Sequence, residues 1–205
     1  MSGLVEQLQA EALDMSVAVS TLLRKVKVAA VKLQLPDTIQ WVDAELSGYS
    51  DPVPSYRMIS GRSMARDHYI GWQPIVAPTQ ILDGLRKRAL GQSVSALEHL
   101  LADDNNNLML PYPPNVVSAL RQFNSDLSEA ALFISKPHIA AIVDKVRNLV
   151  LDWSLDLEKA GITGDGLSFS AREKSVAASS HINIQIDGSN ARLNIGSEDN
   201  SFNLT

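Results

Sequence analysis

Apolar residues recur every three or four positions early in the chain, a spacing that places their side chains on one face of a helix. The stripe consists of Val19, Leu22, Leu23, Val26, Ala30 and Leu33, and the candidate N-caps are Ser16, Ser20 and Thr21. Pro36 ends this helix and begins a second one, which closes at Gly48. Because the turn between them is very short, the pattern predicts two antiparallel helices that cover each other's apolar faces.

The longest stripe lies further along the chain and predicts a helix of about five turns. Ser135 and Pro137 mark its beginning and Gly161 its end. Its apolar positions are Ile139, Ile142, Val143, Val146, Val150, Trp153 and Leu157, and the apolar arc is widened by Leu149, Leu151 and Leu155. Such a wide arc predicts a central helix that other elements contact on more than one side.

Between Tyr49 and Pro78, prolines and glycines interrupt two runs of aromatic and β-branched residues. These runs, Tyr56–Ser60 and His68–Ile75, predict short strands or extended loop. This segment is therefore expected to form a small β/loop insertion in a helical domain.

The segments that follow are expected to be mostly helical. Short helices are predicted over Ile81–Ala89 and Ser93–Leu101, and a further one over Val116–Leu127. Asp103–Pro114 is predicted to be an exposed loop, since Asn and Asp favour turns and proline lacks the N–H that a sheet requires.

The chain changes character near its C-terminus. Residues 167–180 are polar, which predicts a linker, and from residue 181 apolar and polar residues alternate in three short runs, the pattern of strands with one apolar face. The side chains on that face are Ile182, Ile184, Ile186, Leu193, Ile195 and Phe202. Three such strands are not stable alone, and unpaired strand edges recruit partners. We therefore expect a mainly α fold: a helical domain over 1–166, a linker over 167–180, and a β-strand tail over 181–205 that drives homo-oligomerisation.

Composition places the chain among soluble globular proteins, with 45% apolar and 20% charged residues. The 18 basic and 23 acidic residues give a net charge of −5, which lacks the basic excess of a duplex-DNA binder. The absence of cysteine excludes disulfides and a cysteine nucleophile. No run approaches the roughly 18 apolar residues of a membrane span, and no basic then apolar segment opens the chain. We expect a cytoplasmic protein without membrane contact.

No spacing of residues predicts a catalytic site. The four histidines lie in separate segments as His68, His99, His138 and His181, so neither a metal site nor a cofactor is expected. No pair of carboxylates stands out as an acid and a base.

A set of arginines is the candidate ligand-binding site: Arg57, Arg62, Arg66, Arg86 and Arg88. Together with Tyr69 or Trp72 for stacking, they would hold the phosphates of a nucleic acid or nucleotide. Two alternatives compete with this hypothesis. The arginines would form an ordinary solvated surface, or Arg57 would lock its loop onto the helix that carries Asp43 and Glu45.

Four stretches carry a resemblance to a known family: VAVSTLLRK at 17–25, LPDTIQWVDAELSGY at 35–49, VPSYR at 53–57 and IVDKVRNLVLDWSLDL at 142–157. They resemble the AbiTii domain of bacterial abortive-infection proteins. The resemblance covers about residues 1–166 and implies a role in defence against bacteriophage. It carries over no catalytic residue.

Two hypotheses of function follow. The first is a non-enzymatic interaction protein of antiphage defence that forms homo-oligomers through its tail and has a phage or host protein as a further partner. The second is a nucleic-acid-directed toxin or a nucleotide-sensing module that uses the arginines.

Overall fold

The computed structural model describes residues 3–50, 52–103, 107–123, 126–180 and 182–184. Helices predominate among them, so the fold is mainly α, as predicted. In chain order the helices are α1 (Leu4–Leu13), α2 (Val19–Leu33), α3 (Pro36–Ser47), α4 (Thr79–Arg86), α5 (Val94–Ala102), α6 (Pro114–Leu120), α7 (Lys136–Lys159) and α8 (Ala171–Ser179). The strands are β1 (Met58–Ser60), β2 (Arg62–Asp67), β3 (Gly71–Pro74), β4 (Lys87–Ala89), β5 (Asn107–Pro111) and β6 (Leu127–Ser135).

The first two predicted helices are confirmed as α2 and α3. The apolar stripe of α2 is fully buried, and α3 begins at Pro36, where a missing N–H costs nothing. Gly48 follows the end of α3 with a φ of 97°, a conformation that side chains disfavour. Both helices pack with α1, α7 and α8 around one apolar core, the helical core.

The N-terminus of α2 is capped by a residue distant in sequence. The Oε1 atom of Glu98 on α5 accepts hydrogen bonds from the N–H groups of Val19 at 2.5 Å and Ser20 at 3.4 Å. A negative charge is favourable at this end of a helix. The prediction that Ser16, Ser20 or Thr21 caps α2 is wrong, because a carboxylate from another helix satisfies the same donors.

A four-stranded antiparallel sheet forms the other part of the molecule, with the strand order β3-β2-β6-β5. β1 and β4 pair separately as a two-stranded sheet. The inner face of the larger sheet buries Ala65, Leu132 and Ile134 in a second core, together with Leu97 of α5 and Leu120 of α6. We call this second cluster the sheet core.

The long helix α7 joins the two cores, as its wide apolar arc predicts. Ile139 and Ile142 near its N-terminus belong to the sheet core, whereas Val146 and Trp153 belong to the helical core. Val143 packs against both. One continuous helix therefore positions the sheet on the helical part.

The β insertion contains more strands than the sequence pattern predicts. β1 and β3 lie inside the two runs predicted as strands, but β2 between them was missed. The helix predicted over residues 81–89 ends at Arg86, β4 begins at the next residue, and the loop predicted over 103–114 contains β5. The helix predicted over 116–127 ends at Leu120, and Leu127 begins β6. The two helices exist as α4 and α6, but their predicted C-terminal ends and the predicted loop are wrong, because strand pairing between distant segments outweighs short-range apolar spacing.

The segment predicted as a linker contains α8. The hydroxyl oxygen of Ser170 accepts from the N–H of Glu173 at 3.2 Å, while Glu173 Oε2 accepts from the N–H of Ser170 at 2.7 Å. This reciprocal capping box stabilises the beginning of the helix. Ala177 is fully buried in the helical core. A capping box and one small buried residue thus place a polar helix where composition alone suggests a linker.

Replacing Glu173 with alanine is expected to lower the free energy of unfolding by about 1–2 kcal/mol at neutral pH. Burial raises the pKa of Glu173, but the N–H groups of Gly164, Ser170 and Thr163 and the Ser170 hydroxyl lower it more, to about 2. The carboxylate therefore contributes stability above its unfolded pKa of 4.5 and loses it as the pH falls from there towards 2. Urea denaturation of both proteins at pH 7 and pH 3 measures the difference, which should shrink at the lower pH.

The exposed neighbour Lys174 provides the control, since Lys174→Ala should change stability by less than about 0.5 kcal/mol at either pH. A stability loss in Glu173→Ala that stays constant between the two pH values would contradict the role of the carboxylate.

Candidate functional site

Arg57 is buried at the junction of α3 with the β insertion. Its guanidinium pairs with the carboxylate of Glu45, and the side chains of both residues are 0% exposed. Its Nη1 atom also donates to the carbonyl oxygens of Leu90 at 3.2 Å and Gln92 at 2.5 Å. The alternative in which Arg57 locks its loop onto the acidic helix is therefore confirmed for Glu45. The Arg57 side chain is therefore inaccessible to a ligand.

Two tyrosines complete this buried cluster. The hydroxyl of Tyr49 donates to Glu45 Oε1 at 2.7 Å, and the hydroxyl of Tyr56 donates to the same oxygen. Trp41 Nε1 donates to the Tyr56 oxygen at 3.0 Å. Burial, followed by the charge of Glu45, raises the pKa of both tyrosines above its ordinary value, so both stay protonated donors. The cluster is a structural joint between α3 and the chain from residue 49 to 57.

The other four arginines of the candidate set lie nearer the surface, on three different elements. Arg62 and Arg66 stand exposed on β2. Arg86 is the last residue of α4, and its Nη1 atom lies 3.5 Å from the Asp83 carboxylate. Arg88 lies on β4, where Nη1 donates to the Pro111 carbonyl at 2.9 Å. Of the five arginines, Arg62 and Arg66 are part of the four-stranded sheet, and Arg88 reaches its edge strand β5 from β4.

The outer face of this sheet combines aromatic, thioether and charged side chains. Strand register places on it Arg62, Met64 and Arg66 of β2, Trp72 and Pro74 of β3, Met109 and Pro111 of β5, and Glu129, Ala131 and Phe133 of β6. The rings of Trp72 and Phe133 meet edge to face with centroids 5.0 Å apart. Met109 is 50% exposed. Apolar side chains thus reach the surface on this face.

A groove of about 470 Å³ opens at one end of the outer face. Ala131 lies at its floor, Trp72 and Met109 stand beside it, and Val117 of α6 closes it together with Arg121. Arg121 Nε donates to the Leu127 carbonyl at 3.2 Å, which holds the guanidinium at the groove. Arg66 Nη1 lies 3.6 Å from the Glu129 carboxylate on the neighbouring strand. The groove therefore combines an aromatic wall with charged groups, and we call it the Trp72 groove.

Sequence reasoning identified Arg66 and Trp72 but missed Arg121, Glu129 and Phe133. They were missed because Leu127–Ser135 was not recognised as a strand. The signal lay in the apolar run from Ala130 to Ile134, which is short, continuous and typical of a buried strand. Its pairing with β2 brings residues about 60 positions apart in sequence into one surface.

The tail begins against the body of the protein. Ile182 and Ile184 are 9% and 8% exposed and belong to the helical core, and Asn183 Nδ2 donates to Asp37 Oδ2 at 2.9 Å. These three residues are not in a strand. The other predicted oligomerisation residues, Ile186, Leu193, Ile195 and Phe202, lie outside the described residues.

Comparison with known protein families decides the identity. The family model AbiTii matches residues 3–182, which includes every described helix and strand from α1 to α8. The chain belongs to the AbiTii family. This confirms the resemblance seen in the four sequence stretches, and it gives the AbiTii protein a role in antiphage abortive infection. The match extends beyond residue 166 to Ile182, the first of the described tail residues.

No curated protein and no solved structure matches this AbiTii chain. Throughout the part of the chain that the structure describes, no helix is both long and apolar enough to cross a membrane. Over the same residues, no three His, Asp or Glu side chains gather closely enough to hold a metal ion.

Proposed function

We propose that this AbiTii protein acts in antiphage defence as a non-enzymatic interaction protein that assembles with further copies of itself through its C-terminal tail. The observation that carries the proposal is the anchoring of Ile182 and Ile184 in the helical core. The described start of the tail, residues 182–184, is therefore held at a defined place next to the N-terminus of α3, where Asn183 contacts Asp37. A phage or host protein is the further partner of such an assembly.

The remainder of the tail supplies the chemistry for assembly. In residues 185–205, Leu193 and Ile195 alternate with polar neighbours, a pattern that predicts a strand with one apolar face. A short strand gains stability only by pairing, because unpaired edges expose backbone donors and acceptors. Identical tails that are held at the same place on each body supply matching edges to one another.

The test compares the solution mass of the full chain with that of a chain ending at Ile184, which keeps the anchor. Size exclusion with light scattering should show an oligomer for the full chain and a lower mass for the shortened chain. A matched pair of substitutions tests whether the apolar face of the tail drives assembly. Ile195→Asp is expected to reduce the mass, and Asn194→Asp, which adds the same charge on the polar side, is not. Equal masses for the full and shortened chains would refute tail-driven assembly.

A second candidate function is a nucleic-acid-directed toxin or a nucleotide-sensing module. The observation in its favour is that Arg62 and Arg66 share the outer sheet face with Trp72. Binding of this kind neutralises phosphates and weakens as salt rises. Retention of single-stranded RNA or DNA by the full chain at low salt, with loss at high salt, supports it. A protein that retains neither a strand nor a nucleotide at low salt would exclude it.

A further inference from the structure

We propose that the Trp72 groove binds an unpaired nucleobase together with its phosphate. The inference rests on the second candidate function and gives that function a site and a ligand chemistry. The ligand is a nucleotide unit, either within a single strand of RNA or DNA or free in solution. Three features of the outer sheet face support the proposal: a stacking surface, a cavity of suitable size and a local excess of positive charge.

The stacking surface is the indole of Trp72. Its ring is half-buried on β3, and the edge-to-face contact with Phe133 at 5.0 Å holds it in one orientation. An aromatic side chain held on a sheet can stack a base of any identity, because every base has a π face. By analogy, other four-stranded sheets that present aromatic rings in this way bind single-stranded RNA.

The second feature is the cavity beside Trp72. Its volume of about 470 Å³ lies within the range of roughly 300–1,000 Å³ typical of ligand sites. The small side chain of Ala131 leaves its floor open, and Pro111 and Val117 supply apolar contact at its sides.

The charge of the face is positive although the chain is acidic. Arg62, Arg66 and Arg121 are exposed on or beside it, against the carboxylate of Glu129. Arg62 and Arg66 are four residues apart on an extended strand, which separates them by about 13 Å at roughly 3.3 Å per residue. This separation is longer than one nucleotide unit, so it favours a short strand that runs from the groove along β2.

An apolar peptide is the competing occupant of an exposed sheet face. The arginines argue against it, because a purely apolar segment would supply no anionic partner to Arg62 and Arg121 and would add none to the Arg66–Glu129 pair. Nucleotide binding uses both features of the face, since the base contacts the ring and the phosphates contact the arginines.

The test measures binding of fluorescently labelled single-stranded oligonucleotides to the full chain by anisotropy, over a range of salt concentrations. Trp72→Ala is expected to weaken binding about 5- to 100-fold through the loss of one stacking contact. Trp72→Phe keeps a ring and should stay within about 3-fold of the parent protein. Arg66→Gln and Arg121→Gln should each weaken binding and lower the slope of affinity against salt by about one.

The control is Arg24→Gln, because Arg24 is an exposed arginine on α2, in the helical part of the molecule. This variant should bind like the parent. Melting curves for every variant show whether the fold is kept. Competition with unlabelled mononucleotides distinguishes the sources of the ligand: displacement by a mononucleotide identifies a nucleotide site, and displacement by oligonucleotides alone identifies a single-strand site.

The outcomes distinguish failure of the Trp72 groove from failure of the nucleic-acid-binding function on which it rests. Folded Trp72→Ala and Arg121→Gln proteins that bind strands as tightly as the parent would overturn the Trp72 groove, while nucleic-acid binding itself would stand. A parent protein that binds neither strands nor mononucleotides at low salt would overturn both.

Discussion

Replacing Arg57 with methionine is expected to lower the free energy of unfolding by about 3–5 kcal/mol, because it leaves the carboxylate of Glu45 as an uncompensated buried charge. Both side chains are 0% exposed, so water cannot replace the lost guanidinium. The carbonyls of Leu90 and Gln92 lose a donor as well. Urea denaturation followed by circular dichroism measures the change, seen as a lower midpoint at an unchanged slope.

Two further variants test whether the buried charge is the cause. Adding Glu45→Gln to Arg57→Met removes that charge, and the double variant should regain about 1–2 kcal/mol over Arg57→Met alone. Arg86→Met provides the surface comparison, because the side chains of Arg86 and Asp83 are 54% and 64% exposed. An exposed pair of this kind is worth no more than about 1 kcal/mol. Equal losses in Arg57→Met and Arg86→Met would show that burial of the pair is unimportant.

Replacing Arg147 with methionine is expected to lower the free energy of unfolding by about 2–3 kcal/mol. Arg147 lies on α7 and is 6% exposed. Its Nη1 atom donates to the carbonyls of Glu11, Ala12 and Asp14 at 3.2, 3.4 and 3.0 Å, and Nη2 donates to the Val17 carbonyl at 2.5 Å. These acceptors lie at the C-terminal end of α1 and in its connection to α2, so one guanidinium holds that turn.

The conservative variant Arg147→Lys should recover only part of the loss, since an ammonium cannot reproduce the planar fork that reaches several carbonyls. Lys145→Met, an exposed position one half-turn away, should change stability by less than about 0.5 kcal/mol. Hydrogen exchange gives an independent measurement: the amides of residues 14–18 should exchange faster in Arg147→Met. Unchanged exchange in that turn would contradict the assigned role.

Arg57 and Arg147 show which buried contacts the sequence indicates and which it does not. Arg57 stood in the candidate ligand set, with a contact to the acidic helix as the alternative, and its burial favours the contact with Glu45. The sequence pattern does not single out Arg147, because it interrupts an apolar helix face in the same way as any exposed charge. The sequence contains no local signal of the four carbonyls that Arg147 satisfies, since they belong to residues about 130 positions away.

The residues of the candidate site also come together only through contacts between distant parts of the chain. Trp72 and Arg66 were visible in the sequence as an aromatic residue near arginines. Their combination with Phe133 and Arg121 depends on β6 pairing with β2, which places residues from two distant segments on one surface. Alternation within one strand indicates which residues share a face, but it does not indicate which other strand lies beside it.

The sequence by itself determined three helices of the helical part of this AbiTii protein, α2, α3 and α7, together with the central position of α7 and the family. Those features rest on apolar residues at helical spacing, with proline and glycine at the boundaries, and each of these signals acts over a few turns of one segment. Tertiary structure alone decided the sheet, the carboxylate cap on α2 and the buried partners of Arg57 and Arg147. In each case, backbone or charged groups are satisfied by partners far away in the chain, and the free energy of burying them comes from contacts that form only when the whole domain folds.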